Sequence, residues 1–162
     1  MAKTNEFEIY ILVPAANAAA NTALDMTDYV DVADNEAFRI DEADIVLDPT
    51  SDLPDTGEAI FQLADSNIAA FVSHSDRTSL YTKRCTYQGT AAGEYGMWHT
   101  ESFSSITPLI VNKTLYLRSE GNAQGAGSWT TTNYTLRLKG AIVKPSAKDY
   151  MALVLTQPGN VA

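Results

Sequence analysis

Only two histidines, His74 and His99, are available for imidazole chemistry in this 162-residue chain. A nucleophilic hydrolase needs such a base beside a hydroxyl or thiol. The run SHSD at 73–76 sets Ser73, His74 and Asp76 close in sequence. Neighbours on a strand point to opposite faces, however, so these three are expected to be solvated turn residues and not a relay. Cys85 stands alone. It can form neither an intrachain disulfide nor a multi-cysteine zinc site, and it is expected to be a small buried hydrophobe that meets His99 only by accident of folding. Neither a G-x-S-x-G elbow nor a glycine-rich phosphate loop with Lys-Ser or Lys-Thr occurs. The expectation is a chain with no catalytic residues and no cofactor, not an enzyme.

The turn-rich stretch 48–58 carries Asp48, Asp52, Asp55 and Glu58, and clustered carboxylates on a flexible loop suit a hard cation such as calcium. The ordered D-x-[DN]-x-[DN]-G pattern is absent, so a plain acidic loop is expected and no metal ligand is assigned. Trp98 sits inside a strand-like run and is expected in the core. Trp129, at the margin of a glycine-rich loop, would be an anchor for a neighbouring subunit or for a sugar, with protein contact preferred. Lys83-Arg84 and the bases at 137–148 lack aromatic interleaving, so direct nucleic-acid binding is not expected.

Strands must position these residues. In NYTLRLKGAIV at 133–143, Tyr134, Leu136, Leu138, Gly140 and Ile142 share one side while Thr135, Arg137 and Lys139 take the other. The same period marks EFEIYILV at 6–13, and AFRIDEADIVL at 37–47 shows it on either side of Asp41-Glu42, the mark of a β-bulge or of two short strands. Further strands are expected at 26–32, 59–63, 68–73, 79–86, 97–103 and 108–118. AANAAANTA at 15–23 is expected to be a connector that carries at most a helical turn, Asp34-Asn35-Glu36 a turn, and 91–96 a loop. The run 119–133 is too rich in Gly and Ser for a core element and is expected to be an exposed hairpin tip. Over 146–157, Ser146 as N-cap with Asp149 in the capping-box position predicts a short helix, although Leu153-Val154-Leu155 would serve equally as a last strand.

The length suits one domain, 1–162, and 45% apolar with 19% charged residues excludes a wholly disordered chain. The longest apolar run near the start, Ile9 to Val13, is far short of the roughly 20 residues of a spanning helix. Glu6 and Glu8 spoil the basic flank of a signal peptide, so neither secretion nor a transmembrane segment is expected. The net charge of -9 is unevenly spread. Residues 25–58 hold twelve acids against Arg39, and residues 77–148 hold nine bases against three acids. These are either two differently decorated surfaces or complementary edges that meet between copies.

The strand series EFEIYILV, AFRIDEADIVL, PLIVNKTLYLR and NYTLRLKGAIV, with the terminal KDYMALVLTQ, resembles the single jelly-roll coat proteins of icosahedral viruses. The resemblance implies an all-β antiparallel sandwich of jelly-roll type and a structural role. It implies a capsid subunit that self-assembles with its own copies and other virion proteins, located in the virion after synthesis in the host cytoplasm. Such coat proteins often carry a basic N-terminal arm; this chain has MAKTNEFE instead, which again argues against direct genome contact. The alternative is a carbohydrate-binding β-sandwich module with Trp129 in its platform.

Overall fold

The computed structural model describes residues 5–14, 19–48, 56–89, 95–103, 108–124 and 133–156. The alternating segments form strands β1 (Phe7–Pro14), β2 (Ala20–Asp25), β3 (Ala37–Leu47), β4 (Thr56–Ala64), β5 (Ser79–Gly89), β6 (Tyr95–Phe103), β7 (Leu109–Ile110), β8 (Thr114–Gln124) and β9 (Asn133–Val143), followed by helix α1 (Ala147–Thr156). All the strand pairs are antiparallel. The first sheet runs β1-β9-β3-β7 and the second β2-β8-β4-β5-β6.

The pairing is nested. β1 lies against β9, β2 against β8, β3 against β7 and β4 against β5. This is a long antiparallel ribbon rolled up so that its two ends share a sheet, the jelly-roll arrangement of two Greek keys, with β6 added at the edge beside β5. Inward residues of both sheets make the main core, among them Phe38, Ile40, Phe61, Leu63, Leu115, Leu136 and Leu138. The Phe61 and Tyr134 rings meet at 4.6 Å between centroids and tie the sheets through their centre.

The bulge expected in β3 falls between Ile40 and Glu42, so Asp41 is the extra residue, chelated by Arg39 through two 2.6 Å hydrogen bonds. Gly140 faces it. A Cβ there would lie 2.0 Å from the Arg39 carbonyl oxygen and 2.7 Å from the Phe38 ring, so the bulged strand closes on β9 only because this position lacks a side chain. At the chain's end Ser146 accepts the Asp149 N–H at 3.2 Å, and α1 packs Tyr150 on Ala37, Val111 and Val143. The capped helix is therefore the outcome at 147–156. It covers one end of the first sheet's outer face, which is why Ala141 and Val143 are buried on the side where Arg137 and Lys139 meet solvent.

Several expectations fail locally. The stretch 26–32 is not a strand. Asp25 accepts the Thr27 N–H and Asp31 the Ala33 N–H, and these side-chain bonds form turns in place of a ladder, with Asn35 in the left-handed region at φ 55. Part of the connector, from Ala20, is instead strand β2, held by register with Leu115 and Leu117 of β8 and not by its own propensity. Residues 68–73 are not a strand either, because Gln62 occupies the backbone groups of Val72. Thr56 and Gly57 open β4, Tyr95 and Gly96 open β6, and 108–118 is broken at Val111 to Lys113 between β7 and β8. Residues 119–124, expected in an exposed hairpin tip, instead continue β8. Ser119 and Gly121 are inward and stand opposite Phe61 and Ala59, so small residues there make room for a phenyl ring. The rest of that run, Trp129 included, lies outside the described residues.

Candidate functional site

The two sheets are joined along one seam by polar groups. The Ile45 N–H on the edge of β3 donates to the Tyr81 hydroxyl at 3.3 Å, and that hydroxyl donates to Glu101 at 3.1 Å. Lys83, a buried inward residue of β5, reaches Glu101 at 2.5 Å and Asp44 at 3.1 Å, and Asp44 also accepts from Arg137 of β9. Burial opposes the charge on Lys83, but hydrogen bonds to Glu101 and Asp44 outweigh it and raise its pKa. Desolvation likewise pushes Asp44 upward, yet Arg137 and Lys83 hold it below the usual carboxylate range. Burial above all, with Glu101 nearby, drives the Tyr81 phenol upward. At neutral pH Asp44 and Lys83 are thus held charged and Tyr81 neutral, which suits a fixed tie better than proton transfer. A second tie, between the Tyr87 and Tyr134 hydroxyls at 2.6 Å, lies inside the core. Sequence reasoning missed the seam, and its signal was a lysine at an inward register position between Tyr81 and Cys85.

The seam opens outward into a cavity of about 360 Å³ beside Asp41, Asp44, Phe103 and Arg137. On that outer face three cross-strand rows run from β1 through β9 to β3: Glu8–Lys139–Glu42, Tyr10–Arg137–Asp44 and Leu12–Thr135–Val46. Two rows pair charges and the third, with Leu12 and Val46 flanking Thr135, carries none. On the far side of the molecule the second sheet bears a groove of about 270 Å³ between Phe71, Val72 and His74 and the outward Thr82, Arg84, Thr100 and Ser102. Trp98 lies on the same outward side of β6, opposite Thr86, and is 57% exposed. It is not a core residue as expected, because β6 is an edge strand and among the described residues the segment 68–74, which covers Gln62 on this face, leaves Trp98 exposed.

The remaining candidate residues are dispersed. Asp76 spends its carboxylate on the Thr78 N–H and hydroxyl, both at 2.9 Å, and Ser73 faces Ser75, so SHSD is a solvated turn. Cys85 and His99 are direct partners in the β5–β6 register, but the thiol is buried and desolvation pushes it up to about 11, so it stays protonated at neutral pH. Of the acidic loop, Glu58 is strand-bound and paired with Arg84 at 2.6 Å, while Asp52 and Asp55 lie outside the described residues. Among the described residues no three His, Cys, Asp or Glu side chains converge as a metal site, and no helix is long and apolar enough to cross a membrane.

Part of the charge complementarity is realised inside one copy. Lys83, Arg84, Arg137, Lys139 and Lys144 of the basic span pair with Asp44, Glu58, Glu42 and Glu36 of the acidic one. Residues distant in sequence face each other because the rolled ribbon lays β3 on β9 and β4 on β5.

The strand order defines a jelly-roll β-sandwich. No family model and no curated protein matches the chain. Among solved structures it is similar to Desmodium yellow mottle tymovirus, with 12% identity over 88% of this chain and 90% of that one and a TM-score of 0.42. The fold assignment rests on the strand order itself.

Proposed function

We propose that the chain is a structural virion protein, a coat subunit that assembles with its own copies and with other virion proteins and catalyses no reaction. Each copy contributes one sandwich domain, made in the host cytoplasm and located in the virion. The observation that carries this reading is the combination of jelly-roll strand order with strand edges whose outer faces bear large apolar side chains: Tyr10 and Leu12 on β1, 61% and 62% exposed, and Trp98 on β6. Unpaired apolar edges have to be protected or used, and assembly uses them. The pairing of five bases with acids of the same copy supports the absence of direct genome contact.

Molar mass in solution, followed by negative-stain electron microscopy of the heavy fraction, tests the proposal. Discrete multiples of 17.6 kDa or closed shells are expected. A monomer at every concentration that retains glycans would overturn it in favour of a carbohydrate-binding module, a reading favoured by exposed Trp98 beside the hydroxyl-lined groove. In that case Trp98→Ala abolishes retention.

A further inference from the structure

We infer that β1 is a docking edge for β1 of a second copy, the two strands pairing antiparallel about a two-fold axis at Ile11. This inference rests on the self-assembly reading and names its contact. Among the described residues β1 pairs with β9 on one side and with no strand on the other. Its eight residues contain no lysine, no bulge and no inward charge, and of the devices that blunt an edge they carry only the outward Glu8 and Pro14 at the last position. Its outward Tyr10 and Leu12 are exposed, and its inward Phe7, Ile9 and Ile11 are only partly buried although they pack on the core. Both faces of this edge therefore leave apolar surface that a further strand would cover.

The register follows from face and charge. A two-fold axis normal to the sheet keeps outer residues opposite outer residues, so it must lie midway between the two copies of one residue, which then faces itself. Centred on Glu8, it would set two carboxylates against each other. Centred on Ile9 or on Tyr10, it would set an acid, Glu6 or Glu8, against Leu12. Centred on Ile11, it sets Tyr10 against Leu12 twice, Ile9 against Val13 twice, and Glu8 against Pro14, which has no N–H to give and closes the ladder. The exposed apolar pair is then self-complementary and the contact isologous. The Tyr10 hydroxyl, tied to Glu8 on its own strand, stays at the rim. Two four-stranded sheets become one sheet of eight strands across the axis.

Single-cysteine chemistry tests both the contact and its register, since native Cys85 is buried and unreactive. Under mild oxidation Ile11→Cys is expected to cross-link to itself as a covalent dimer, whereas Ile9→Cys, opposite Val13, is expected not to. Tyr10→Lys with Leu12→Lys, both at exposed positions that spare the core, is expected to halve the mass of the smallest species. Assembly of the wild type with no Ile11→Cys cross-link and no change in that species would overturn the edge pairing and leave self-assembly standing. A wild-type monomer at all concentrations would overturn both.

Discussion

Among the described residues Asp65 is the acid that folding penalises most visibly. It closes β4 with 6% of its surface exposed, its Oδ1 has no hydrogen-bond partner among the described residues, and the buried Asn112 beside it gives its amide to the Asp65 carbonyl at 2.8 Å and not to the carboxylate. Desolvation raises its pKa to about 6 from 3.8, against the pull of Arg77. The folded state holds a proton between these two values that the unfolded state has released, so stability falls as pH rises through that window and the full cost is present above it. A shift of about two units corresponds to about 3 kcal/mol. Asp65→Asn is therefore expected to raise the denaturation midpoint at pH 7–8 and to leave it nearly unchanged at pH 4. Wild-type and variant profiles running parallel between pH 4 and 8 would reject the assignment.

At the scale of elements, the segment 68–74 lies on the second sheet through the amide of Gln62. That side chain accepts the Val72 N–H at 2.8 Å and donates to the Val72 carbonyl at 2.9 Å, with Ser79 and Thr82 at 3.1 Å, while Arg118 stacks over Phe71 at 5.2 Å. A buried amide thus does what a neighbouring strand would do. Gln62→Ala strands both Val72 groups and is expected to cost about 2–3 kcal/mol, with proteolytic cleavage appearing first inside 68–74. An unchanged cleavage pattern would show that the segment is held by Phe71 instead. The same contrast explains what the sequence discloses. Strong alternation, as in β9, and a phase break, as at Asp41 of β3, are local and legible. A strand that exists because of its partner is not: β2 has Leu24 as its one large apolar residue, and 119–124 carries Ser119 and Gly121 at its inward positions, opposite Phe61 and Ala59. Side-chain bonds that replace a ladder, from Asp25, Asp31 and Gln62, are equally silent in a hydrophobicity pattern. Trp98 lies on the expected strand but is exposed and not in the core, since alternation reveals faces but not whether a layer covers them.

For the whole molecule, nested pairing is what converts a sequence divided into an acidic and a basic span into a surface of local ion pairs. Neither span alone predicts this, because the pairing of β3 with β9 joins residues more than ninety positions apart, as in Arg137 with Asp44. With Lys83, Arg84, Arg137, Lys139 and Lys144 paired within the copy, one copy presents to the next a net charge of -9 and exposed apolar edges. Like-charged copies repel, and salt screens that repulsion over about 10 Å at 0.1 M and about 3 Å at 1 M. Apolar contact is not weakened by the same change, and exposed ion pairs within a copy contribute little whether screened or not. Self-association is therefore expected to hold or strengthen as sodium chloride rises from about 0.05 to 1 M, read as weight-average mass by light scattering at fixed protein concentration. Dissociation on adding salt would mean that ion pairs between copies hold the assembly, and the apolar-edge account would then give way to one in which charged rims of neighbouring sandwiches carry the contact.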